Sequence, residues 1–211
     1  LLLSIIIASS YLPFEGINHN AEEARREKNL ASKKVVGAYL ATIEQDDLSL
    51  TLYRNEVTQI ILITYYTNIT RSERIAKVIL KYADMYNISP ALAFALCKSE
   101  SGFDINAINV NKDETVDRGL FQLNSKSFPE LSEEDFFSVE TNTLFGLKYL
   151  KYCLEKSENE IVALSMYNAG ENRISSKGAP LITLNYVSLV LEYKERLETE
   201  LRKLINEVLC S

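Results

Sequence analysis

Glu100 is the residue whose type and setting point most directly to chemistry. It follows a run, Ala91 to Cys97, that is apolar on every side, and it sits in the abruptly polar turn Lys98-Ser99-Glu100-Ser101. Gly102 then stands where a left-handed helix cap is expected. A carboxylate at the C-terminal end of a buried helix meets the negative end of the helix dipole and an apolar neighbourhood, and both disfavour its ionised form. Its pKa is expected to rise. A carboxylic acid that keeps its proton near neutral pH can protonate a leaving oxygen such as that of a glycosidic bond. A Glu at a helix end is ordinarily a surface residue, so position alone does not establish that chemistry.

Composition narrows the alternatives. His19 is the single histidine, which argues against a His-dependent nucleophile triad or a His-rich metal site. Cys97, Cys153 and Cys210 are an odd number at wide spacing, and they signal neither a zinc pattern nor a disulfide framework. No metal and no cofactor is expected, and acid-base chemistry falls to carboxylates, Lys or Tyr. The formal net charge of −6, with a sequence pI near 5.0, disfavours a nucleic-acid partner. It leaves polysaccharides open, because sugars are held by hydrogen bonds and ring stacking, and 12 Tyr with 8 Phe supply stacking faces.

The elements that would position Glu100 read as helices, in keeping with only 7 Gly and 4 Pro in 211 residues. Residues 21 to 45 read as a charged helix with a thin apolar stripe of Leu30, Val35, Val36, Tyr39 and Ile43. Ser49 is placed as a cap before Leu50, Tyr53, Val57, Ile60 and Ile61, which recur at helical spacing, although Ile60 to Ile63 fits a strand as well. Thr70-Arg71-Ser72-Glu73 fits a capping box opening a helix with the face Ile75, Val78, Ile79, Tyr82, Ala83 and Tyr86. Ser89-Pro90 starts the apolar helix that ends at Glu100. Asp104 to Arg118 reads as a loop or small hairpin. Helices follow near 133 to 137, 141 to 156 and 159 to 167. A long final helix spans about 183 to 209, with Leu184, Val187, Leu191, Leu197, Leu201, Leu204 and Val208 on one face.

A set of short motifs then falls in order: Glu100-Ser101-x-Phe103, Asn106-Ala107, Gly119-Leu120-Phe121-Gln122-Leu123-Asn124, Tyr167-Asn168-Ala169-Gly170 and Tyr186-Val187. Together, over about residues 72 to 195, they resemble the catalytic domain of the soluble lytic transglycosylases. The resemblance implies a mainly α, lysozyme-like domain whose groove holds peptidoglycan glycan strands between N-acetylmuramic acid and N-acetylglucosamine. It implies that Glu100 protonates the glycosidic oxygen and then, as carboxylate, accepts the proton of the muramyl 6-hydroxyl while a 1,6-anhydro ring closes. By position, Gln122 matches a glutamine lining the site, Tyr167 and Asn168 the pair facing the acid and the N-acetyl group, and Tyr186 a groove tyrosine. Ser101 either bonds near the site or finishes the helix. Backbone capping is the competing role for Gln122 and Asn168, and core packing for Tyr167 and Tyr186. The chain departs from the family where Phe121 replaces a common Met and Arg118 a small residue.

Two rivals remain. The stretch Asp117 to Ser125 also resembles animal-type lysozymes, in which an Asp partners the Glu, so Asp113 or Asp117 is a candidate second carboxylate for simple hydrolysis. A non-catalytic peptidoglycan-binding or scaffold protein would use the same groove. The expected organisation is a signal or anchor remnant with linker over 1 to 19, a helical segment over 20 to 68 and the lysozyme-like domain over 69 to 211. Leu1 to Ala8 is almost wholly apolar and reads as the end of a secretory h-region or a membrane attachment, though a buried strand has the same composition. Export to the periplasm or cell envelope follows from that reading.

Overall fold

The structure is a computed structural model, and it describes residues 47–210 except 57 and 158. The apolar start and the helix expected over 21 to 45 lie outside the described residues. In chain order the elements are α1 (Leu48–Arg54), α2 (Gln59–Thr70), α3 (Glu73–Met85) and α4 (Pro90–Ser101). A three-stranded antiparallel sheet follows, β1 (Ile108–Val110), β2 (Val116–Arg118) and β3 (Leu123–Asn124), in the order β1-β2-β3. The remaining helices are α5 (Glu133–Phe137), α6 (Val139–Lys156), α7 (Glu160–Ala169), α8 (Glu171–Lys177) and α9 (Leu181–Cys210).

The all-apolar run does what its composition demands. Every residue from Pro90 to Cys97 is buried, and α9, α3 and α1 pack around α4. Phe94 stacks on Tyr66 of α2 with ring centroids 3.7 Å apart and planes 6° from parallel, which ties α2 to the centre of the core. Leu52, Leu62 and Tyr66 share one core with α3, α4, α6 and α9, so residues 48 to 68 are packed into the domain rather than set before it. Ile60 to Ile63 is helical.

Three local expectations differ from what forms. Ser49 is buried inside α1, and the cap is Asp47, whose Oδ1 accepts from the Leu50 N–H at 2.9 Å. One helix does not run on to Ile61: the Thr58 hydroxyl donates to the Leu52 carbonyl at 2.8 Å and Gln59 Nε2 to the Tyr53 carbonyl at 3.0 Å, side-chain bonds that compete with helix continuation. The cap of α3 is Ser72 rather than Thr70. Thr70 remains the last residue of α2, Arg71 turns the chain at φ 59°, and Glu73 becomes the first helical residue, too close to Ser72 for a reciprocal box.

The hairpin forms within Asp104 to Arg118, with Asn109 opposite Asp117. On α9 the inward face is Thr183, Val187, Val190, Leu197, Leu201 and Ile205, whereas Leu184 is exposed. The 3–4 spacing of those residues keeps them along α4, and Leu184 falls off that line. The short α8 was not foreseen; Gly170, at φ 85°, ends α7 and the chain re-enters a helix one residue later.

Two glycines let the loop between β2 and β3 sit against α6. A Cβ on Gly119, which has φ 75°, would lie 2.1 Å from the Phe136 carbonyl oxygen and 2.5 Å from Asn142 Nδ2. A Cβ on Gly146 would lie 2.5 Å from the Phe121 Cβ. Gly146→Ala therefore sets a gain in helix propensity of about 1 kcal/mol against an overpacking cost of about 1–3 kcal/mol. Urea denaturation is expected to show net destabilisation of about 1 kcal/mol; a stabilised variant would mean that Phe121 yields freely.

Candidate active site

Glu100 lies in the last turn of α4, half-buried, and its Oε1 accepts a short hydrogen bond from the Tyr186 hydroxyl of α9. Burial pushes its carboxyl up to about 7; the Tyr186 bond acts against that shift, and the charge of Asp117 adds to it. The tyrosine keeps its own proton, because burial and the neighbouring Glu100 charge hold it well above 10.0. Cation balance does not relieve the acid: Lys98 points its Nζ over the Phe103 ring, 5.7 Å from the centroid.

The loop from Gly119 to Gln122 forms the next part of the site, and it is fastened from four directions. Asn142 of α6, 1% exposed, accepts from the Phe121 N–H at 2.7 Å and donates to the Arg118 and Phe136 carbonyls at 2.9 and 2.8 Å. The Tyr167 hydroxyl donates to the Phe121 carbonyl at 2.9 Å, and Cys97 Sγ to the Leu120 carbonyl at 3.5 Å. Gln122 itself, at φ 47°, donates through Nε2 to the Gly119 and Ala107 carbonyls at 2.9 and 3.1 Å. A fully satisfied buried amide such as Asn142 holds one geometry, because any displacement would strand polar groups away from water.

The expected residues thus divide. Glu100 and Tyr186 meet directly, and Tyr167 lies close enough for the Glu100 charge to raise its hydroxyl pKa further above the ordinary range. Gln122 braces its own turn with its amide nitrogen, the capping role considered above. The Asn168 Oδ1 accepts from the Thr183 hydroxyl at 2.9 Å, linking α7 to α9, and its side chain is exposed. Ser101 finishes the helix, its hydroxyl donating to the Cys97 carbonyl at 3.3 Å and accepting from the Phe103 N–H at 3.1 Å.

The two rival carboxylates are differently employed. Asp117 accepts from Asn124 at 2.7 Å on Oδ1 and from Asn111 at 2.8 Å and Asn109 at 3.5 Å on Oδ2. Asp113 lies exposed between β1 and β2, where its bonds from the Thr115 hydroxyl and N–H hold its pKa below the usual carboxylate value. Arg118 does not project a free charge beside Gln122: its guanidinium lies 5.5 Å from the Phe136 ring centroid. No group of His, Cys, Asp and Glu among the described residues is arranged to hold a metal.

Asn142 and Gly146 were missed from sequence. The available signal was an amide and a glycine on the same helical stripe as Val139, Leu147 and Leu150, positions where an apolar side chain is the rule.

A family model described as the transglycosylase SLT domain matches residues 77–180. Protein IpgF of Shigella flexneri is 30% identical over 125 residues, which make up 54% of this chain and 82% of IpgF. The chain belongs to the soluble lytic transglycosylase family, with a mainly α, lysozyme-like fold and lytic-transglycosylase-type cleavage of peptidoglycan as its class of activity. Glu100, Gln122, Tyr167 and Asn168 fall inside the matched stretch; Tyr186, the partner of Glu100, falls beyond it.

The raised carboxyl has a thermodynamic signature. As pH rises from the ordinary value of 4.5 to about 7, Glu100 ionises in the unfolded chain while the folded chain retains the proton. The unfolded state is favoured across that window, so stability falls as pH rises and levels off above it. Glu100→Gln, which cannot ionise, is expected to remove this component, an upper limit on the order of 3 kcal/mol between about pH 4 and pH 8. Chemical denaturation of both proteins at the two pH values checks it; equal pH dependence would show that Glu100 titrates as a solvated acid.

Proposed function

We propose that the chain cleaves the β-1,4 bond between N-acetylmuramic acid and N-acetylglucosamine as a lytic transglycosylase, with Glu100 as the single acid and base. The observation that carries the reading is a half-buried carboxyl, raised to about 7 by burial, within hydrogen-bond reach of Tyr186. The Glu100 carboxyl donates its proton to the glycosidic oxygen as the bond from that oxygen to the muramyl C1 breaks, and the departing sugar leaves with a free hydroxyl. The resulting carboxylate accepts the proton of the muramyl 6-hydroxyl while that oxygen bonds to C1. The acid is regenerated and no water is consumed, so the reaction asks for no second carboxylate. Tyr186 supports both halves, donating to the carboxylate when it is charged and fixing which oxygen faces the sugar.

Hydrolysis would need a base to activate water. Asp117 has both oxygens engaged by asparagine amides and Asp113 is engaged by Thr115, which favours intramolecular ring closure over a lysozyme-type route. The same proposal includes export to the periplasm or cell envelope, where peptidoglycan lies, with the N-terminal residues serving as signal or membrane attachment. Among the described residues no helix is long and apolar enough to cross a membrane.

Digestion of purified peptidoglycan followed by mass spectrometry is expected to yield 1,6-anhydromuramyl ends. Reducing muramyl ends would indicate a muramidase instead, and binding without turnover a scaffold. Glu100→Gln is expected to lower the cleavage rate by at least about 10²–10⁴-fold with the fold retained. Because the first step uses the protonated form, the rate of the unmodified protein should be level below about pH 7 and fall about tenfold per pH unit above it.

A further inference from the structure

Where the chain returns from α8, one side-chain hydrogen bond joins two elements of the candidate site. Thr183, in the first turn of α9 and only 2% exposed, donates its hydroxyl to Asn168 Oδ1 in the last turn of α7 at 2.9 Å. Both partners are tied to Glu100 through their neighbours. Tyr186, one turn beyond Thr183 on α9, donates to the Glu100 carboxyl. Tyr167, the residue before Asn168, feels the Glu100 charge and holds the Phe121 carbonyl at 2.9 Å. The Asn168–Thr183 pair therefore stands beside the acid, one residue from one of its tyrosines and one turn from the other.

An asparagine amide has two ends of nearly equal size and opposite chemistry, an accepting oxygen and a donating nitrogen, and the partner that holds one end decides which is offered outward. At Asn168 the oxygen is turned to Thr183, the residue is exposed, and among the described residues no group accepts from its Nδ2. The neighbouring amides are spent differently. Asn142 uses both ends and Gln122 its nitrogen on backbone groups. Reversing the Asn168 amide would set its nitrogen against the Thr183 oxygen and take away the acceptor of a buried hydroxyl hydrogen. A donor stranded away from water disfavours that arrangement, so the threonine selects one orientation of the amide.

We propose that Thr183 is a positioning residue: its hydroxyl fixes the Asn168 amide so that the groove is offered N–H donors in place of a carbonyl oxygen. Such donors suit the carbonyl oxygen of an N-acetyl group, which accepts and cannot donate. A free amine at the same place would be an ammonium, carrying donors alone, and would meet the Asn168 N–H groups head on. The inference rests on the peptidoglycan-cleaving reading above and deepens it, since Thr183 becomes the residue that makes Asn168 prefer an acetylated sugar to a deacetylated one. Thr183 leaves Glu100 and Tyr186 in place, so it acts on binding and not on proton transfer.

The test assays the full chain on soluble peptidoglycan glycan strands. Thr183→Val, which keeps the shape and removes the hydroxyl, is expected to raise KM about five- to tenfold with kcat and the pH profile unchanged, and Thr183→Ser to restore the parental KM. In an Asn168→Ala background Thr183→Val should cost nothing further, because the side chain it orients is gone. Calorimetry on the Glu100→Gln chain, with β-1,4-linked hexamers of N-acetylglucosamine and of glucosamine, should show Thr183→Val narrowing the preference for the acetylated hexamer by about the same factor. A parental KM in Thr183→Val, a loss of kcat that Thr183→Ser does not rescue, additive losses with Asn168→Ala, or an unchanged preference between the hexamers would overturn the positioning role. Cleavage to anhydro ends by a chain indifferent to Thr183→Val removes this inference alone, and an unaltered chain that cleaves no peptidoglycan removes the reading beneath it as well.

Discussion

The site depends on withholding water from one carboxyl group. Ionisation is ordinarily favoured because water solvates the anion, and α4 removes that advantage by carrying Glu100 to the end of a segment in which every residue from Pro90 to Cys97 is buried. Burial is the largest cause of the raised pKa, the fixed charge of Asp117 adds to it, and Tyr186 limits it. The limit matters as much as the rise. An acid held too firmly would protonate the substrate poorly, and one too close to its ordinary value would already be ionised at neutral pH.

Keeping that balance requires neighbours that do not drift, and the protein achieves this with satisfied polar groups rather than with cross-links. Asn142 uses its oxygen and nitrogen on three backbone groups around the Gly119–Gln122 loop, while Tyr167 and Gln122 take further carbonyls of the same segment. Asp117, on the middle strand, is immobilised by the amides of Asn109 and Asn111 on the β1 side and of Asn124 on β3, so its charge stays in one place. The glycines contribute by absence: a carbon added at Gly119 would collide with Phe136 and Asn142, and one added at Gly146 with Phe121 of the loop itself.

Most of this arrangement was legible where one physical signal dominated. The all-apolar helix, its abrupt polar end and the left-handed cap at Gly102 locate Glu100 correctly because burial and cap geometry leave little choice of residue type. Signals that depend on competition were less readable. Ser49, Thr70 and Ser72 all suit a helix start, and which one serves depends on where the preceding helix ends. The amide of Gln122 has equal chemical claims on a sugar and on a turn, and its nitrogen holds the turn. Asn142 was overlooked because a polar residue on an apolar stripe shows its purpose only when the carbonyls opposite it are known. The face of α9 was traced one position astray at Leu184, since over 30 residues several apolar lines run nearly parallel.

Tyr186 is carried near the start of that same helix, whose Val187, Val190, Leu197, Leu201 and Ile205 are locked into the core. The alignment of phenol and acid is therefore governed by the axial register of a rod roughly 45 Å long, at 1.5 Å per residue, rather than by any local loop. One residue inserted between Val187 and Leu197 would turn everything on one side of it by about 100° relative to the other. Either the distal leucines or the phenol would then lose its seat, so evolution can vary the side chains of this rod freely only while conserving its count.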